Sequence, residues 1–140
     1  LFLLIQAYTD NKSYAAATPL LSDAIKYDAE NTELLYLAGY VNENLGDIET
    51  AKKYYLETVK PDDNNYDANL ALGLIYLSNF LKDKDHLEAQ YEAQNYLLKA
   101  NSIKPYAVNT LKGLALFYEA ADDAEQLDRV NILLNQLSNN

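Results

Sequence analysis

His86 is the only histidine in the 140-residue chain, and it stands beside Asp85 and Glu88 in a short polar run. An imidazole flanked by carboxylates can ligate a metal or move a proton, but either task needs a partner at defined spacing. No second imidazole follows at helical spacing, so the two-histidine helical zinc motif is excluded. Asp63, Asn65 and Asp67 alternate as the first ligands of a calcium loop do. The loop's glycine would then be Ala68 and its closing glutamate Leu74. A turn followed by a helix cap is the reading. Cysteine is absent, which removes disulfides, thiolate metal sites and thiol nucleophiles. The four glycines form no phosphate loop, and a lone histidine in a polar run assembles no Ser/His/Asp set. The carboxylates read as helix caps and solvated faces, and Asn11-Lys12-Ser13 reads as a chance match to a glycosylation acceptor. The expectation is a chain with no catalytic residues, no metal and no cofactor.

The charge balance narrows the partners. Twenty-one acids against 11 bases give a net charge of −10, which argues against a phosphate backbone as partner. Arg129 is the single arginine. No apolar run approaches the ~18 residues that a membrane span needs, and Leu1-Phe2-Leu3-Leu4-Ile5 is too short for one. That start reads as a core helix entered partway along. A chain with no Met reads as a processed or excised piece. Much Lys, 15 Asn and almost no Arg suggest an AT-rich, bacterial source, with cytoplasm and periplasm or envelope both open.

The elements that position these residues are helices, since no period-two alternation survives anywhere. Thr32 to Asn65 spans 34 residues and reads as two helices folded back on each other around Gly46-Asp47. Similar units lie on both sides, at about 1–31, 66–107 and 108–140, in one domain. In the first unit the helices run from Leu1 to about Thr9 and from Tyr14 to Tyr27, with Ser13 as candidate N-cap. Pro19 implies either a later start near Ala17 or a kink. In the third unit 17 positions separate Tyr76 from Ala93, against nine between Asn42 and Ala51. The eight extra residues, about two turns, predict a hairpin lengthened by one turn on each helix, with its tip at Lys82 to Asp85. Asp85 with Glu88, and Asp122 with Glu125, have capping-box spacing. The last unit runs from Ala107 to Ala121 and from Asp123 to about Leu137. Val130, Leu133, Leu134 and Leu137 leave its final helix apolar, which implies either further repeats or pairing with another chain.

With the period fixed, the chain resembles the tetratricopeptide repeat family. The third unit gives Asn69-x2-Leu72-Gly73-x2-Tyr76, then Ala93-x3-Leu97, then Pro105. The second gives Leu35-x2-Ala38-Gly39-x2-Asn42 with Ala51-x3-Tyr55, and the fourth Leu111-x2-Leu114-Ala115-x2-Tyr118. Trp never opens the motif, and the last helix carries Leu127 and Asn131 where Ala and Phe belong. The small residues Gly39, Gly73 and Ala115, with Ala17, Ala51 and Ala93, sit where neighbouring helices would approach closely.

The resemblance implies an all-α, right-handed α-solenoid of about four antiparallel hairpins. It also implies a concave groove lined by the first helices. Carried over by position, the groove residues are Tyr36, Tyr40 and Glu43 in the second unit. Leu70, Leu74 and Leu77 follow in the third, and Lys112 and Leu116 in the fourth. Gln6 and Glu119 extend the same face. Phe2, Gln6, Leu37, Asp67 and Ala71 stand where the family's carboxylate clamp needs Lys, Asn or Arg, so a C-terminal carboxylate is not the expected ligand. The implied function is a protein-interaction scaffold that binds a peptide or partner protein in an apolar, aromatic groove. The alternatives are a homo-oligomerisation module and a non-catalytic auxiliary domain of a larger enzyme. Whether the groove is open or covered by a neighbouring repeat or second copy stays undecided at this level.

Overall fold

Asn31, Asp47, Asn65, His86 and Asp123 each stand immediately before a helix. Each of their side chains accepts a backbone N–H from three residues further on, at 2.9–3.2 Å. These caps satisfy donors that a helix start leaves unpaired. The computed structural model describes residues 1–139, and among them it shows eight α-helices and no strand. They are α1 (Phe2–Asp10), α2 (Tyr14–Tyr27), α3 (Thr32–Asn44), α4 (Ile48–Val59), α5 (Tyr66–Lys82), α6 (Leu87–Ile103), α7 (Val108–Ala120) and α8 (Ala124–Ser138).

At the two expected capping boxes the cap is the next residue, and no reciprocal side-chain bond accompanies it among the described residues. Before α6 the cap is His86, whose Nδ1 accepts the Ala89 N–H at 3.1 Å, in place of Asp85. Before α8 the cap is Asp123, which takes the Gln126 N–H, in place of Asp122. Glu125 is turned to Arg129 instead, at 2.8 Å. The cause at α8 is the preceding turn, where Asp122 adopts φ 56° and so cannot occupy the extended cap position. Ser13 precedes α2, but its side chain makes no cap bond. α2 begins at Tyr14, not near Ala17, and continues past Pro19. The carbonyl that loses its donor to the proline ring is that of exposed Ala15, so water can satisfy it.

Three of the turns repeat one geometry. Lys12 (φ 59°), Gly46 (φ 88°) and Asp122 (φ 56°) are left-handed residues following α1, α3 and α7. At each, the next amide reaches back to a carbonyl in the last helical turn: Ser13 to Tyr8, Asp47 to Asn42 and Asp123 to Tyr118, at 2.7–2.9 Å. This is the six-to-one bond of a Schellman motif. Lys12 and Gly46 are 34 residues apart, and Gly46 and Asp122 are 76 apart, which is two such periods and the eight-residue extension. α5 and α6 have 17 residues each, against 13 and 12 in α3 and α4.

The chain forms two compact units, Leu1–Asp63 and the residues from Asn64 onward. In the first, α1 to α4 each pack on the next and α1 also meets α3. Its core gathers Ile5, Ala17, Leu21, Ala24, Leu34, Ala38 and Val41. In the second, α5 to α8 pack in the same order and α5 also meets α7. Leu72, Phe80, Ala93, Leu97, Leu111 and Phe117 are among its buried residues. Two of the repeated small residues, Gly39 and Gly73, lie where the α3–α4 and α5–α6 hairpins close. Ala17, Ala51 and Ala93 are all fully buried. A Cβ at Gly39 would stand 2.5 Å from Cε1 of Tyr55, and one at Gly73 would stand 2.8 Å from Cγ of Leu97.

The left-handed turns make a direct prediction. Gly46→Ala should lower the unfolding free energy by about 1 kcal/mol, the strain of a side chain at positive φ. Lys12→Gly and Asp122→Gly should each raise it, by up to about 1 kcal/mol. Urea unfolding followed by far-UV circular dichroism measures all three. Loss of stability in both glycine variants would show that the turns do not limit stability.

Candidate functional site

The first unit carries a chain of tyrosines along α3. Tyr36, Gly39, Tyr40 and Glu43 recur at helical spacing, so they share one side of the helix. The space over Gly39 is filled by the Tyr55 ring from α4, and the other rings assemble beside it. Tyr36 lies 5.8 Å from Tyr55 and 6.4 Å from Tyr40, and Tyr40 meets Tyr14 of α2 edge-on at 6.0 Å. Such pairs contribute about 0.5–1.5 kcal/mol each beyond their buried area. The Tyr55 hydroxyl donates to Glu43 Oε2 at 2.6 Å. Tyr55 is 1% exposed, so burial, then the Glu43 carboxylate, pushes its phenol far above the usual range. The Tyr14 phenol is also raised, first through its hydrogen bond with Tyr40. Glu43 is therefore engaged by the fold and is not simply an acidic edge.

Tyr36 and Tyr40 also line a cleft of about 290 Å³ with Thr9, Asp10, Lys12, Tyr14 and Leu37. The structure thus brings together two of the residues expected on α3 and adds a wall from α1, the first turn and α2. That wall belongs to no repeat motif. Its one sequence signal is the pair of polar residues Asp10 and Lys12 around the α1–α2 turn, a few positions from Tyr14.

In the second unit the expected residues part company. Leu70 is half-buried and Leu74 is 40% exposed, but Leu77 is 3% exposed and lies in the interior. Leu77 is therefore removed from any open surface. It lies one turn before Phe80, which packs on Phe117 of α7 at 5.6 Å, so α7 covers this end of α5. Leu74 leans on α7 as well: a side chain at Gly113 would meet its Cδ2 at 3.2 Å. Lys112 and Leu116 do come together, in a cleft of about 400 Å³ between α7 and α8. Ala115, Glu119, Leu127, Asn131 and Leu134 complete its lining.

Two of those residues explain the cleft. Leu127 and Asn131 lie 34 residues after Ala93 and Leu97, the pair that closes the α5–α6 hairpin. Where Ala93 is fully buried, Leu127 is half-buried and bulkier, and where Leu97 is fully buried, Asn131 is polar and exposed. The last hairpin cannot close against Ala115 as the others close against Gly39 and Gly73. The signal was present in the sequence as a departure from the repeat motif.

No protein-family model matches the chain, and no curated protein matches it. The chemistry of the clefts rests on their own residues. Among the described residues no cluster of three or more His, Asp or Glu could hold a metal ion, and no helix is long and apolar enough to cross a membrane.

The Tyr55 phenol fixes a pH dependence. The folded state keeps its proton above pH 10, where the unfolded chain releases it, so stability is fully present below pH 10 and falls as pH rises. The slope from this one group is up to about 1.4 kcal/mol per pH unit. Denaturant unfolding between pH 9 and about 11 should therefore show a shallower alkaline loss for Tyr55→Phe than for the parent chain. Tyr14, and Tyr96 and Tyr118, which are raised chiefly by burial, contribute to the slope that remains. Equal slopes would show that Tyr55 ionises as readily folded as unfolded.

Proposed function

We propose that the chain is a non-catalytic protein-interaction scaffold. In this reading it is a right-handed solenoid of four tetratricopeptide-like hairpins that binds a peptide or partner protein along its first helices. The observation that carries the reading is the pair of clefts. In each unit a first helix, α3 or α7, offers aromatic or aliphatic side chains to an open cleft: Tyr36 and Tyr40 in one, Leu116 in the other. Apolar surface left open and rimmed by polar groups is how docking sites for extended or helical segments are built. The 34-residue spacing of the left-handed turns, and the contacts α1 with α3 and α5 with α7, support the repeat reading.

Self-assembly is a second reading, favoured by one observation. Leu127, Leu133, Leu134 and Leu137 of α8 remain only half-buried, and Leu127 and Leu134 line the α7–α8 cleft. Light scattering on the pure chain decides it: a monomer at high concentration removes this reading.

The scaffold reading is tested by panning displayed random peptides on the pure chain. Selected peptides should bind saturably and specifically. Tyr40→Ser or Leu116→Asp should weaken them by roughly tenfold, as truncating an anchor does, while the circular dichroism spectrum is retained. If no peptide is enriched above a control helical protein, or if neither variant weakens binding, the clefts are not docking sites.

A further inference from the structure

The first-unit cleft combines tyrosine ring faces with one carboxylate, that of Asp10. Tyr36 and Tyr40 bring their rings to it, 6.4 Å apart, and Tyr14 closes one side. Tyr14 and Tyr40 meet edge-on, and each phenol oxygen carries lone pairs beside its O–H. Thr9 gives its hydroxyl proton to the Ile5 carbonyl at 2.9 Å, so its oxygen can only accept. Asp10 contributes a carboxylate that makes no ion pair among the described residues. The unit from Leu1 to Asp63 holds 11 Asp and Glu against five Lys, so its field is negative. Lys12 is the one cation on the lining. At about 290 Å³ the cleft falls just below the ~300–1,000 Å³ of small-molecule sites, a size suited to one inserted side chain.

We propose that the cleft of Thr9, Asp10, Tyr14, Tyr36 and Tyr40 receives an arginine side chain from an extended segment of a partner protein. The assignment rests on the scaffold reading and names the chemistry that one of its clefts selects. A guanidinium is a planar cation with five N–H donors and no acceptor. It can stack on a tyrosine face while donating to Asp10 and the hydroxyl oxygens. An ammonium cannot stack in this way, and an anion meets Asp10 and the negative unit. Lys12, exposed at the rim, opposes the incoming cation and lowers its affinity.

Aromatic-ring NMR of the full chain, titrated with N-acetyl-arginine N-methylamide and its norleucine and aspartate counterparts, tests this. The arginine probe should move the Tyr14, Tyr36 and Tyr40 ring signals saturably and bind at least about threefold tighter than norleucine, as a partly exposed cation–π contact does. Asp10→Asn should weaken it by about threefold, the scale of an exposed ion pair. Lys12→Gly should tighten it. Norleucine binding as tightly as arginine, aspartate moving the same rings, or Asp10→Asn leaving the arginine affinity unchanged would each overturn the assignment. Panned peptides that lack arginine yet still depend on Tyr40 would also overturn it, while leaving the scaffold reading in place.

Discussion

The contact between Gly39 and the Tyr55 ring sets the spacing on which the first unit depends. With a ring atom 2.5 Å from where a Cβ would stand, α3 and α4 are drawn as close as backbone and ring permit. Glycine inside a helix costs about 1 kcal/mol relative to alanine. Burying a tyrosine ring returns about 4–6 kcal/mol as an upper figure. The same approach arranges the polar chemistry. It carries the Tyr55 hydroxyl to Glu43, one turn beyond Gly39, and leaves Tyr36 and Tyr40 flanking the seated ring. The aromatic array is thus a by-product of how the hairpin closes. In the second unit Gly73 and Leu97 close α5 on α6 in the same way.

Surface charge contributes little to this. Asp23–Lys26, Glu57–Lys60 and Glu125–Arg129 join neighbours on one exposed helix surface. Each is worth at most about 0.5 kcal/mol. Packing of small residues against large ones holds each hairpin, and its failure at Leu127 and Asn131 opens the α7–α8 cleft.

Helix order, the turn at Gly46 and the two-turn extension were all legible, because hydrophobic period and residue counting report on them directly. Lys12 and Asp122 were not, since neither side chain advertises a left-handed backbone. The cap register before α8 followed from that turn and was missed with it. Within the candidate site, helical spacing puts Tyr36 and Tyr40 on one side of α3, and both line a cleft. It could not separate Leu74 from Leu77, which are equally apolar and one turn apart. Leu77 is 3% exposed and Leu74 40%, a difference set by tertiary packing that has no local signature. Tyr14 and Asp10 escaped for the same reason, as their partners lie on another helix.

The lengthened α5–α6 hairpin has a consequence for what can vary. Its added residues come as about one turn on each side of the tip, so every buried position nearer the base keeps its angular phase. Reach and facing have become independent quantities. The hairpin gains about 6–7 Å of height, and the added turn of α6 carries Leu87 and Tyr91, 75% and 66% exposed, clear of the interior. Chemistry at that tip can be exchanged without any adjustment being transmitted to Gly73 and Leu97 at its base.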